Sequence, residues 1–88
     1  MKKFAFIGAG SFIFTRNLVR DLLSFPAFAD CELALMDTDP ERLERITAAV
    51  RKINAAMGTH ATITPTQSRA EALSGADGVL CTVFNGGI

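Results

Sequence analysis

Two glycines one residue apart, Gly8 and Gly10, stand between an apolar run and a helix-like pattern. Phe4, Ala5, Phe6 and Ile7 form a short continuous apolar stretch, which suits a strand covered on both faces. From Ser11 to Phe25, Leu18, Val19, Leu22 and Leu23 recur at helical spacing, with Arg16, Arg20 and Asp21 on other faces, until Pro26 ends the pattern. A strand that turns through glycines directly into a helix brings unpaired helix N–H groups and the positive dipole end to the turn, where an anion is stabilised. Gly8 permits the tight turn, Gly10 lets the backbone approach a diphosphate with no Cβ in the way, and Ser11 adds a hydroxyl donor. Ile13 replaces the third glycine of the usual dinucleotide pattern, so helix and strand are expected to sit slightly further apart.

The same alternation continues along the chain. Cys31 to Met36 is a second apolar run interrupted only by Glu32, and it ends at Asp37. Asp39 followed by Pro40 starts a second helix, because the carboxylate caps free N–H groups and proline tolerates the first helical position. Leu43, Ile46, Val50, Ile53 and Met57 step down one face of it, and Gly58 stands where a left-handed cap is expected. Thr62 to Thr64 is a brief outer strand. Ser68 and Glu71 form a capping box that opens a short helix ending near Gly75, and Val79 to Val83 is the last strand, followed by Asn85, Gly86 and Gly87.

Strand, helix, strand, helix, strand, helix, strand with right-handed crossovers is an α/β chain with a parallel sheet. The doubly wound arrangement, the Rossmann type, has strand order 3-2-1-4. Cys31 and Cys81 then lie about 10 Å apart across the sheet, beyond disulfide reach, and both are expected to be buried free thiols. The fourth strand forms an apolar edge, and the crevice beside it lacks further strands, so residues 1–88 are expected to be the N-terminal part of a larger dinucleotide-binding domain.

Composition narrows the partners. With 49% hydrophobic and 20% charged residues the chain is globular rather than disordered. Nine basic and nine acidic side chains cancel, which leaves no net field to attract nucleic acid or an anionic membrane. The most apolar stretch, Phe4 to Phe14, is broken by glycines and falls short of the roughly 20 residues a membrane span requires. Lys2 and Lys3 precede an apolar run, but no small-residue cleavage site follows, and a cytoplasmic location is expected.

Asp37 completes the dinucleotide pattern. A carboxylate at the end of the second strand accepts hydrogen bonds from the adenosine ribose hydroxyls and repels a 2′-phosphate, so NAD is expected over NADP. Its distance from the glycines exceeds the usual ~20 residues, and the loop from Pro26 to Asp30 accounts for the excess. Asp39, the competing carboxylate, is assigned to the helix cap. The expected cofactor-binding set is Gly8, Gly10, Ser11, Phe12, Asp37, Asn85 and Gly86. Asn85 and Gly86 leave the last strand at the topological switch point, where contact with cofactor or substrate and a simple turn both fit. The Phe12 and Phe14 rings are expected to pack the helix start rather than stack on a ligand. His60 has no ligand partners at metal spacing and reads as a loop histidine. Arg42 and Arg45 read as a solvated helix face, with Arg42 near enough in sequence to Asp37 to reach the adenine side.

With both halves of the pattern in place, the surrounding sequence resembles glycoside hydrolase family 4, the NAD- and metal-dependent glycosidases, and within it the α-galactosidases. The resemblance rests on IGAGSFIFT from Ile7 to Thr15, ALMDTDPERL from Ala34 to Leu43, and Ala76-Asp77 leading by a strand into Gly86-Gly87. Asn85 departs from the aliphatic residue usual before the double glycine. The resemblance implies cleavage of a small glycoside by oxidation at C3, loss of the C2 proton and elimination of the aglycone, outside the common two-carboxylate route. It also implies manganese or another divalent metal held by a cysteine and a histidine beyond Ile88, with no catalytic or metal residue in this segment. The segment alone is therefore expected to be inactive, and the full-length protein to be a homo-oligomer. The residues themselves leave open a 2-hydroxy-acid or sugar dehydrogenase on the same fold and a non-catalytic NAD-binding module.

Overall fold

The computed structural model describes residues 2–10 and 12–81. Strand β1 (Lys3–Ile7) leads to helix α1 (Phe12–Leu23), a 3-10 turn (Pro26–Phe28), β2 (Glu32–Met36), α2 (Pro40–Ala56), β3 (Thr62–Thr66), α3 (Arg69–Leu73) and β4 (Gly78–Cys81). The strands are parallel in the order β3-β2-β1-β4, as expected. β1 is central: Ile7 aligns with Met36 on one side and Cys81 on the other, so the three strand ends lie level.

Side-chain size divides the two faces. Alternate residues of a strand point to opposite faces. Phe6, Leu33 and Leu35 are buried together with Val19 and Leu23 of α1 and Leu43, Ile46, Val50 and Ile53 of α2. Burying such side chains contributes about 1.5–3 kcal/mol each, so this face carries most of the core. The other face presents Ala5, Ala34 and Met36, and the short α3 covers them through Ala72. Small strand residues let that helix lie close.

The caps explain the boundaries. Asp39 accepts hydrogen bonds from the amides of Glu41 and Arg42, at 2.9 and 3.3 Å, which starts α2 where expected. Its far end closes with Gly58 N–H donating to the Ala55 carbonyl and Thr59 N–H to that of Asn54. Helix α1 ends at Leu23, two residues before the expected Phe25, because the residue preceding a proline is driven extended. The stretch read as a loop after Pro26 is a 3-10 turn that seats Phe28 edge-on against Phe4, ring centroids 5.1 Å apart.

Other expectations need correction. β3 runs on to Thr66, since Pro65 lies on an edge strand, where its missing donor is tolerated. Only half of the capping box forms: the Ser68 hydroxyl accepts from Glu71 N–H, but Ser68 N–H donates to Thr66 Oγ1. Met57, expected on the buried face, is exposed past the last turn, and Phe14 is exposed rather than packed. Ile13 is 73% exposed, so the absent third glycine drives no side chain between helix and strand. Both cysteines are free as expected, but only Cys31 is buried; Cys81 is exposed near the open edge. Burial pushes the Cys31 thiol up, with the nearby Asp30 carboxylate acting in the same direction against a lowering backbone hydrogen bond. The last strand is described only as far as Cys81, and the expected extension to Val83 lies outside the described residues.

Candidate cofactor cleft

The ends of β1 and β2 converge on one junction. Gly8 has φ +77°, a left-handed conformation that other residues adopt at a cost, and it turns the chain out of β1. The amides of Gly8 and Ala9 both donate to the Met36 carbonyl, at 2.9 and 2.8 Å, which straps the turn to the end of β2. Ala9 is fully buried beneath it, and its carbonyl accepts from the Thr15 hydroxyl at 2.8 Å.

Asp37 faces the same turn. Its Oδ2 accepts from Gly10 N–H at 2.8 Å and its Oδ1 from Asp39 N–H at 2.9 Å, and the residue is only 7% exposed. One carboxylate therefore ties the glycine turn to the start of α2 through two charge-assisted bonds, each stronger than its neutral equivalent. The approach is close enough to exclude any side chain at position 10. A Cβ there would stand 2.5 Å from Asp37 Oδ2 and 2.9 Å from the Arg42 Cβ. Gly10 is thus required by Asp37 and α2 themselves, beyond any need for a diphosphate to approach.

This junction opens on a cleft of about 580 Å³ whose walls include Gly8, Asp37, Arg42, Arg69, Val79 and Cys81. It lies at the carboxyl ends of β1, β2 and β4, beside the point where the chain order reverses, the usual ligand position in an open parallel sheet. Gln67 Nε2 donates to the Thr38 carbonyl at 3.1 Å, which pins the β2–α2 turn to the segment entering α3. Concavities of similar size lie between α1 and α2 and between α2 and β3, but neither reaches the glycine turn.

Of the expected cofactor-binding residues, Gly8, Gly10 and Asp37 come together here. Phe12 opens α1, where the first-turn amides have no intrahelical partner. Ser11, Asn85 and Gly86 lie outside the described residues. His60 is an exposed loop residue whose amide donates to the Ala29 carbonyl. Among the described residues no three His, Cys, Asp or Glu side chains gather as metal ligands, and no helix there is long and apolar enough to cross a membrane. Sequence reasoning missed Thr15. Its signal was present: it stands one and two helical steps before Val19 and Leu23, so a polar group falls on the buried face and needs an acceptor.

The arrangement suits a dinucleotide: a bare turn at a helix mouth for the diphosphate, and a carboxylate beside it for the ribose. The chain is 38% identical over 86 residues to an alpha-galactosidase of Rhizobium meliloti (strain 1021), covering 98% of this chain and 18% of that protein. It is 36% identical over 87 residues to an alpha-galactosidase of Bacillus subtilis (strain 168), covering 99% of this chain and 20% of that protein. The chain thus spans about a fifth of the length of these curated relatives. A model of the family described as "Family 4 glycosyl hydrolase" matches residues 3–87, which takes in the glycine turn, Asp37 and every element of the sheet, and the chain belongs to that family.

Proposed function

We propose that this chain is the NAD-binding segment of a family 4 glycoside hydrolase that acts on α-galactosides. The observation that carries the reading is the carboxylate of Asp37 held 2.8 Å from the Gly10 amide at the opening of α1, within a chain of this family. The names of the two relatives support the galactoside.

Each residue has a defined task in this reading. Gly8 turns the backbone, Gly10 keeps the approach free of side-chain atoms, and Ser11 and Phe12 present donors at the helix mouth to the diphosphate. Gly10 N–H is committed to Asp37, so the diphosphate is served by the amides further along α1. The Asp37 oxygens, each with one amide donor, keep lone pairs for the ribose hydroxyls. Asn85 and Gly86 border the nicotinamide and the sugar. When bound, NAD⁺ supplies a hydride acceptor for C3 of the sugar, which makes the C2 proton acidic enough for elimination. The divalent metal that this reading also calls for is assigned to none of these residues.

The test is turnover by the intact protein with NAD⁺, Mn²⁺ and a nitrophenyl α-galactoside under reducing conditions. Nitrophenol release that depends on NAD⁺ and leaves no net NADH is the expected result. Stoichiometric NADH would identify a dehydrogenase instead, and dinucleotide binding without turnover of any sugar would leave a binding module.

A further inference from the structure

One peptide unit of the glycine turn, the one joining Ala9 to Gly10, is held at both ends by side chains of other elements. Its carbonyl accepts from the Thr15 hydroxyl at 2.8 Å, and its N–H donates to Asp37 Oδ2, also at 2.8 Å. The C=O and N–H of a trans peptide lie in one plane and point in opposite directions. Two bonds, one from α1 and one from the end of β2, therefore fix the orientation of that plane. The Thr15 bond is not the one its place in a helix favours. A threonine hydroxyl within a helix ordinarily bonds the carbonyl three or four residues back. That of Thr15, in the first turn of α1, passes the helix start and takes the carbonyl six residues back. Thr15 and Ala9 are both fully buried, so water does not stand in for the hydroxyl.

We infer that Thr15 is a positioning residue for the dinucleotide: by fixing the peptide between Ala9 and Gly10 it keeps the Gly10 N–H on Asp37, and so keeps the carboxylate turned to meet the ribose. The inference rests on the dinucleotide site proposed above and adds to it a residue too deeply buried to touch the ligand. Without the hydroxyl, the Ala9 carbonyl is left in a closed space with no donor, which is costly. A rotation of the peptide that finds it another donor also swings the Gly10 N–H away from Asp37. The carboxylate then keeps its bond from Asp39 N–H but loses the one that holds its other oxygen.

Calorimetric titration of the intact protein with NAD⁺ tests the inference in a double-mutant cycle with Asp37. Thr15→Val keeps the size of the side chain but not its donor, and the dissociation constant should rise about tenfold. Thr15→Ser restores the hydroxyl and should stay within about threefold of the parent. In the Asp37→Ala background the valine substitution should change affinity less than about threefold, because the group through which Thr15 acts is gone. Equal losses in the two backgrounds, or parent affinity in Thr15→Val, overturn the inference and leave the dinucleotide site standing. If the valine variant loses the parent circular dichroism spectrum, Thr15→Ser and Thr15→Cys, alike in size but unequal as donors, take its place. The cysteine variant should then bind about tenfold more weakly than the serine variant, and equal binding overturns the inference. Failure of the parent protein to bind NAD⁺ overturns the site and the inference together.

Discussion

Gly10→Ala is expected to abolish useful dinucleotide binding while leaving a folded but weakened protein. The added methyl group would lie 2.5 Å from Asp37 Oδ2 and 2.9 Å from the Arg42 Cβ, distances that carbon atoms do not tolerate. The Arg42 Cβ belongs to the first turn of a helix capped by Asp39 and cannot swing aside as a side-chain tip would. The glycine turn must move instead, and overpacking of this kind costs about 1–3 kcal/mol. A shift of the order of 1 Å in a ligand-positioning element costs on the order of a hundredfold, so the NAD⁺ dissociation constant should rise by about that factor. Urea denaturation and titration calorimetry on the same preparation separate the two effects. Unchanged affinity would mean that the turn is not where the diphosphate sits.

Replacing the two neighbouring aspartates separates their tasks. Asp37→Ala leaves the part-buried amides of Gly10 and Asp39 without their acceptor, and a donor that water does not reach costs about 1–3 kcal/mol. It also removes the ribose acceptor, and lost hydrogen bonds to a charged group are worth about 1.5–3 kcal/mol each, so NAD⁺ affinity should fall about a hundredfold or more. Asp39→Ala removes a helix cap, which costs about 1 kcal/mol, and should change affinity less than about threefold. Asp37→Asn keeps one carbonyl acceptor and should fall between the two. Equal loss of affinity in both alanine variants would return the ribose to either carboxylate.

The features legible in the sequence are those that depend on local spacing. The apolar run of β1, the Asp39-Pro40 start of α2 and its buried stripe from Leu43 to Ile53 each follow from neighbours within a turn or two, and together with right-handed crossovers they lead to the observed strand order. What escaped depends on atoms distant in the chain. The seating of Phe28 on Phe4 turns a presumed loop into a 3-10 turn. The hydroxyl of Thr66 displaces the expected reciprocal bond of the Ser68 capping box. Cys81 is exposed because its strand lies at the edge of the sheet, whereas Cys31 lies beneath the helices.

The candidate site divides in the same way. Glycines followed by a helix, and an aspartate at the next strand end, are visible as a pattern. That Asp37 grips the Gly10 amide, and that this grip already requires a glycine, is visible only when the two strand ends stand side by side. Thr15 belongs to both categories. Its helical spacing announces burial, while its acceptor, the Ala9 carbonyl, emerges only from the fold of the turn.

The central claim is that one junction holds both the diphosphate and the adenosine ribose. A crystal structure of the intact protein grown with NAD⁺ tests it most directly. The account predicts diphosphate oxygens within hydrogen-bond distance of the first-turn amides of α1 and a ribose hydroxyl on the Asp37 carboxylate. Density for the dinucleotide away from the glycine turn, or a ribose with no contact to Asp37, would contradict it.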